Sequence, residues 1–139
     1  MSPLKREETK HMSNFNAKHN RFGWMDIPVK DAARAAKFFE GVMAITVERH
    51  EHEGMSFYVF EHDEGNGGCL VPDADAVTSD KGPLVYLNVD GRIRDAIAKV
   101  TQLGGVVTEP IQSLGPYGFR ALITDSEGNR FALHSNTDA

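Results

Sequence analysis

Apolar residues fall into short blocks with two distinct periods along the chain. The run RFGWMDIPV reads as a short strand, and Asp31 stands where a helix N-cap belongs. Ala35, Phe38, Phe39, Val42 and Met43 follow at i, i+3, i+4, i+7 and i+8, the stripe of an amphipathic helix. Ile45–Glu51 and Met55–Glu61 then read as strands on either side of a His52-Glu53-Gly54 turn. A polar glycine turn, HDEGNGG, leads into the apolar strand Gly68–Val71. The order is β-α-β-β-β.

The same order returns after a stretch of turn formers, PDADAVTSDKG. Pro83–Val89 alternates as a strand, and Ile93, Ala96, Ile97 and Val100 make a second helical stripe ended by Gly104-Gly105. Strands are predicted at Val106–Glu109, Phe119–Thr124 and Arg130–Ser135, the last two joined by Asp125-Ser126-Glu127-Gly128-Asn129. At an offset of 60, Val29 meets Val89, Arg34 meets Arg94 and Ala36 meets Ala96; at 62, Phe57 meets Phe119 and Asp63 meets Asp125. Two copies of this length make a duplicated module rather than a solenoid.

Residues 1–20 hold only Leu4 and Phe15 as large apolar residues besides methionine, too little to offset the entropy of ordering. They read as a flexible arm that contains His11 and His19, with Met12 as an alternative start. The expected organisation is one domain over 21–136, with module 1 at 22–72, a linker at 73–82 and module 2 at 83–136.

At 139 residues, 40% hydrophobic and 25% charged, the composition is that of a globular chain and excludes fibrous or disordered classes. No stretch approaches the roughly 20 apolar residues of a membrane helix, so no membrane partner is expected. Fifteen basic against 20 acidic residues give a net charge of −5, which speaks against a nucleic-acid partner. The one cysteine, Cys69, excludes a disulfide framework, and with no apolar leader the expected location is the cytoplasm.

The segments WMDIPVKDAARAAKFFEGVM, GPLVYLNVDGRIRDAIAKVTQLGGVVTEP and GFRALITDSEGNRFALHS, in this order and duplicated, resemble the vicinal oxygen chelate superfamily. Its members include glyoxalase I, bleomycin and fosfomycin resistance proteins and extradiol dioxygenases. The nearest look-alikes are small bacterial proteins related to lactoylglutathione lyase. The resemblance covers about residues 22–136. It implies an α+β fold of two tandem βαβββ modules whose mixed sheets curl around a cleft, with helices outside.

In metal-using members that cleft holds a divalent cation on His, Gln or Glu from the first strand of each module and Glu from the last. By the resemblance, those positions here are Trp24, Leu84, Ala132 and Leu70, with Cys69 as neighbour if the register slips by one. An indole, two isobutyl groups and a methyl donate nothing to a hard or borderline cation. The expectation is no metal and no other cofactor.

Strand alternation then names what faces the cleft: Trp24 and Asp26 on the first strand, Leu84, Tyr86 and Asn88 on the fifth, and Arg130, Ala132 and His134 on the last. Phe131, Leu133, Val85 and Leu87, of opposite parity, belong under a helix. Trp24 serves as an aromatic wall or as plain core packing. Asp26 and His134 are the candidate acid–base groups, each with a structural reading beside it: a strand carboxylate, a satisfied histidine. Tyr86 and Asn88 can orient a ligand, Arg130 can fork onto a carboxylate, and Tyr117 in Gly115-Pro116-Tyr117-Gly118 can act as a lid. His50 and His52 share a strand face, and with His62 they make a metal candidate or a solvated hairpin end. Cys69 is a nucleophile candidate or a small buried hydrophobe. EGNGG lacks the Lys-Ser/Thr of a phosphate loop and is a turn.

Three functions fit these residues. One is a metal-independent protein that binds a small organic molecule in the cleft. The second is a lyase or isomerase related to lactoylglutathione lyase, using Asp26 or His134. The third is a non-catalytic dimerisation or regulatory module. Family members often pair, so a homodimer is expected.

Overall fold

The computed structural model describes residues 24–139. The expected arm, with Met12, His11 and His19, and residues 21–23 of the opening strand lie outside the described residues. Ten regular elements follow: β1 (Trp24–Val29), α1 (Ala32–Met43), β2 (Val47–His52), β3 (Met55–Phe60), β4 (Gly67–Pro72), β5 (Val85–Asn88), α2 (Ile93–Gln102), β6 (Val106–Ser113), β7 (Phe119–Thr124) and β8 (Arg130–Ser135). Single 3-10 turns occur at Ala74–Ala76 and Gly115–Tyr117. The βαβββ order occurs twice, and the strands form two four-stranded sheets, β1-β4-β3-β2 and β5-β8-β7-β6. In each, the first strand pairs in parallel with the last, and the remaining pairs are antiparallel.

Local chemistry sets the helix ends. Asp31 is extended, and its Oδ1 accepts the Arg34 amide at 3.1 Å, one of the donors a helix start leaves unpaired. Ala44 closes α1 in the left-handed region at φ 55°. Beyond α2, Gly104 turns with φ +94°, and the Gly105 amide donates back to the Val100 carbonyl at 2.8 Å.

The two helices pack on each other and on one face of the sheets. Phe39 is fully buried and touches Phe38, Phe60 and Phe131, with ring centroids 5.2, 5.1 and 5.7 Å away. Phe131 belongs to the second module, so this ring joins both halves in one core. Ile27, Val29, Leu87, Phe131 and Leu133 complete the inner sheet face, as their parity predicts. Leu70 joins them, against its expected place at the cleft: the register pairs Leu70 with Ile27 and Cys69 with Asp26, so Cys69 holds the outward position. At Gly105 a Cβ would lie 2.5 Å from the Thr124 carbonyl oxygen and 2.7 Å from Phe38, so glycine permits the close approach.

A polar clamp adds to this contact. In the β7–β8 turn, Glu127 reaches the first module: Oε1 accepts the Lys30 and Asp31 amides at 3.0 and 2.7 Å. The Arg34 guanidinium donates Nε to Oε2 at 2.7 Å and Nη2 to Oε1 at 2.8 Å. Asn129 Nδ2 donates to the Pro28 carbonyl at 2.6 Å, while buried Asp125 accepts the Glu127 and Asn129 amides and so holds the turn. What reads in sequence as a simple turn is a link between modules.

Most strand limits fall within two residues of those predicted. The exception is β6, expected to stop at Glu109 but continuing through Pro110 to Ser113. It is an edge strand with register shifts between Val107 and Gln112, where a missing amide costs the ladder nothing.

Candidate functional site

The sheet faces turned away from the helices carry the candidate residues, and the gap between β1 and β5 collects several of them. A cavity of about 280 Å³ there is walled by Trp24, Met25, Phe60 and Leu87, with Tyr86 and Asn88 at its polar side. Trp24 is half-buried and meets the His62 ring edge-on at 5.5 Å. Gly68 lies so close to β1 that a Cβ would come within 2.5 Å of the Met25 carbonyl oxygen. Asn88 is exposed and accepts the Asp90 amide at 2.9 Å, which fixes its side chain.

Tyr86 also borders a second hollow of about 480 Å³, shared with Leu114, Tyr117 and His134. Tyr117 is 75% exposed on its single turn, between Gly115 at φ +64° and Gly118 at φ +93°. The Leu114 amide donates to the Gly118 carbonyl at 2.7 Å and closes that loop. His134 Nε2 lies 2.7 Å from the Tyr117 carbonyl oxygen. A carbonyl only accepts, so Nε2 carries the proton and Nδ1 is the remaining polar atom of the neutral ring.

Asp26 and Arg130 sit elsewhere. Both border a third cavity of about 240 Å³ beside Gly82 and Pro83, and Arg130 Nη2 donates to the Gly82 carbonyl at 2.7 Å. Asp26 is exposed rather than enclosed beside Trp24, and its Oδ1 takes the Cys69 thiol at 3.2 Å. Asp26 and His134 therefore border different cavities. Burial pushes the Cys69 thiol up to about 11, and the neighbouring Asp26 carboxylate adds to that, so the thiolate a nucleophile needs is scarce near neutral pH.

One residue of this surface escaped the sequence reading. Arg120 on β7 lies opposite His134 in the sheet register. Its Nη1 donates to the Tyr86 hydroxyl, and its Cζ is 5.9 Å from the centre of the Tyr86 ring. Its Nε is buried without a hydrogen-bond partner. The signal was available: in FRALIT the residues alternate, and Arg120 shares the parity of Leu122 and Thr124 on the open face.

Paired βαβββ modules define a recognisable class. The profile of the Glyoxalase/Bleomycin resistance protein/Dioxygenase superfamily matches residues 21–133, and the chain belongs to that superfamily. Among solved structures it is similar to a hypothetical protein of S. aureus, at 16% identity and a TM-score of 0.67, covering 87% of this chain and 98% of that one. It is also similar to a glyoxalase/bleomycin resistance protein from Albidiferax ferrireducens T118, at 15% identity and a TM-score of 0.66, covering 84% and 98%. A genomically encoded fosfomycin resistance protein, FosX, from Listeria monocytogenes aligns at 13% identity and a TM-score of 0.64, covering 84% and 93%. At these identities the likeness is one of fold. No curated protein matches the chain.

The cation held by metal-using members does not fit this donor set. Ala132 and Leu70 are fully buried, Leu84 is half-buried, and none has a donor atom. The histidine run has other partners: His50 stacks on Phe57 at 5.8 Å with Glu48 3.1 Å away, and His62 Nδ1 meets the Gly65 carbonyl oxygen at 3.0 Å. Among the described residues no three His, Cys, Asp or Glu side chains are grouped to hold a metal ion. No described helix is long and apolar enough to cross a membrane.

Proposed function

We propose that this chain binds a small organic molecule along the open face from Trp24 past Tyr86 to Tyr117, without a metal ion. The observation that carries this reading is the position of Tyr86. It is 47% exposed, it borders both the 280 Å³ and the 480 Å³ cavities, and it lies outside the buried core. Apolar walls with few oriented polar groups are how small-molecule sites are built. The wall of Trp24, Met25, Phe60 and Leu87 with Asn88 at its rim has that character.

The rival lyase or isomerase reading needs Asp26 or His134 at the reacting atoms. Their separation into different cavities supports binding over acid–base work shared by that pair. The lack of donors at Trp24, Leu84 and Ala132 supports metal independence. Homodimerisation belongs to the same proposal: Met55 and Val106, 49% and 56% exposed, leave apolar surface that a second copy would cover. A net charge of −5 favours a small ligand over a polyanion, and a free buried Cys69 suits the reducing cytoplasm.

Trp24 is the chain's single tryptophan, so its fluorescence reports directly on this wall. Titration with benzoate, phenylacetate and 3-phenylpropionate and with their neutral amides is expected to give saturable changes in emission for at least one compound. A flat response to the whole set overturns the reading.

A further inference from the structure

We infer that the hollow beside Tyr86 takes the carboxylate of a small aromatic acid, with Arg120 as the residue that recognises the charge. The inference rests on the binding site proposed above and names its ligand class. Its starting point is the state of the Arg120 guanidinium. The Nε is buried and unpartnered, and Nη1 donates to the phenol oxygen of Tyr86. Among the described residues no acidic side chain forms an ion pair with it, in a chain where acids outnumber bases by 20 to 15. Glu109, the acid paired with Leu122 on the same face, instead accepts from Gln112 Nε2 at 3.3 Å.

A half-buried guanidinium is costly to desolvate, and a fold that needed only packing there would be served by leucine or methionine. Arg120 stands behind the Tyr86 and His134 walls of the hollow rather than among its lining residues, with Nη1 on the Tyr86 hydroxyl, and its planar guanidinium matches a carboxylate in shape and sign. In the proposed complex the carboxylate takes Arg120 donors, in exchange for the Tyr86 hydroxyl. His134 lies opposite Arg120 across β7–β8, with its Nε2 held by the Tyr117 carbonyl, so the imidazole stays beside the anion.

The rest of the hollow selects the body of the ligand. The Tyr86 ring stands 6.3 Å from the His134 ring, and Tyr117 and Leu114 form the other walls. Two tyrosines and an imidazole present flat faces, which suit a planar ring. A volume of about 480 Å³ admits a single ring with a short acid chain.

The test compares each acid with its amide, which has the same shape and no charge: benzoate, phenylacetate and 3-phenylpropionate against benzamide, phenylacetamide and 3-phenylpropionamide. Calorimetry on the full chain is expected to give at least one acid a dissociation constant roughly tenfold or more below its amide. Arg120→Gln is expected to remove that preference while leaving amide binding in place, and Arg120→Lys to restore part of it. Arg94→Gln, which removes the same charge from the far helix, is expected to leave it intact.

If Arg120→Gln does not fold, salt decides on the unaltered protein: raising NaCl from 50 to 500 mM is expected to weaken the acid and not the amide. Equal affinity of acid and amide, or a preference that survives Arg120→Gln, overturns the inference and leaves the cleft reading standing. Failure of every acid and every amide to bind overturns both.

Discussion

The carboxylate of Glu127 holds the guanidinium of Arg34 by two hydrogen bonds, 2.7 and 2.8 Å long, across 93 residues of sequence. Glu127 sits in the β7–β8 turn of the second module and Arg34 in the first turn of α1, so the pair binds one module to the helix start of the other. Glu127 is wholly buried at its side chain, and Arg34 is about half exposed. The bond is therefore stronger than an open surface pair and weaker than a fully desolvated one.

That geometry gives a pH signature. Burial alone would raise the Glu127 carboxyl, but Arg34, the Asp31 amide and the Ser126 hydroxyl outweigh it and hold it at about 2, against an ordinary 4.5. A depressed carboxyl stabilises the fold fully above its unfolded value and loses that contribution as pH falls through its folded value. Glu127→Gln is expected to cost about 2–3 kcal/mol at neutral pH. Urea melts of the two proteins should converge between about pH 4.5 and pH 2. A gap that persists at pH 2 contradicts the assignment.

Phe39→Ala removes a ring that touches Phe38, Phe60 and Phe131, and so cuts the core at the junction of the modules. Such a truncation typically costs about 3–5 kcal/mol. The melting temperature should fall sharply, whereas a loss below about 1 kcal/mol would mean that the modules do not share this core.

Tyr86→Ala probes the open face. With 47% of the residue exposed, little folding energy depends on it, and the melt should stay close to wild type. Ligand affinity should drop roughly tenfold or more, because the variant removes an aromatic wall common to both cavities. Unchanged affinity would move the site elsewhere.

Gly118→Ala tests the turn that carries Tyr117. The position has φ +93°, and an added Cβ would fall 2.5 Å from the Ser135 carbonyl oxygen and 3.2 Å from His134 Nε2. Strain of this kind costs more than about 1 kcal/mol and should displace the Tyr117–His134 hydrogen bond. The amide spectra of residues 114–118 and 134 should shift together, while those of module 1 stay put.

Cys69 should be slow to alkylate. With its thiol pushed up to about 11 and the residue 7% exposed, reaction with iodoacetamide at pH 8 should run on the order of a hundredfold slower than after unfolding in urea. Rapid labelling of the folded protein would show that the thiol is open.

Much of the fold was legible because burial imposes a period on sequence. The stripe Ala35, Phe38, Phe39 and Val42 is buried on α1, and in β8 Phe131 and Leu133 are buried while Arg130 and His134 are only half so. The continuation of β6 past Pro110 was not legible, since an edge strand with bulges tolerates a proline that a central strand would not. The candidate site was legible in part. Alternation put Trp24, Tyr86, Asn88 and His134 on open faces, yet it could not show that Asp26 and Arg130 border a different cavity from His134.

The sequence by itself determined the elements, their duplicated order and the faces they bury, because each follows from neighbours a few positions apart. The tertiary structure alone decided the partners of Glu127 and Arg120. One lies 93 residues from its guanidinium and the other 34 residues from its phenol. The first contact depends on how the two modules close on each other and the second on the β5-β8-β7 order within one sheet, and no local period encodes either.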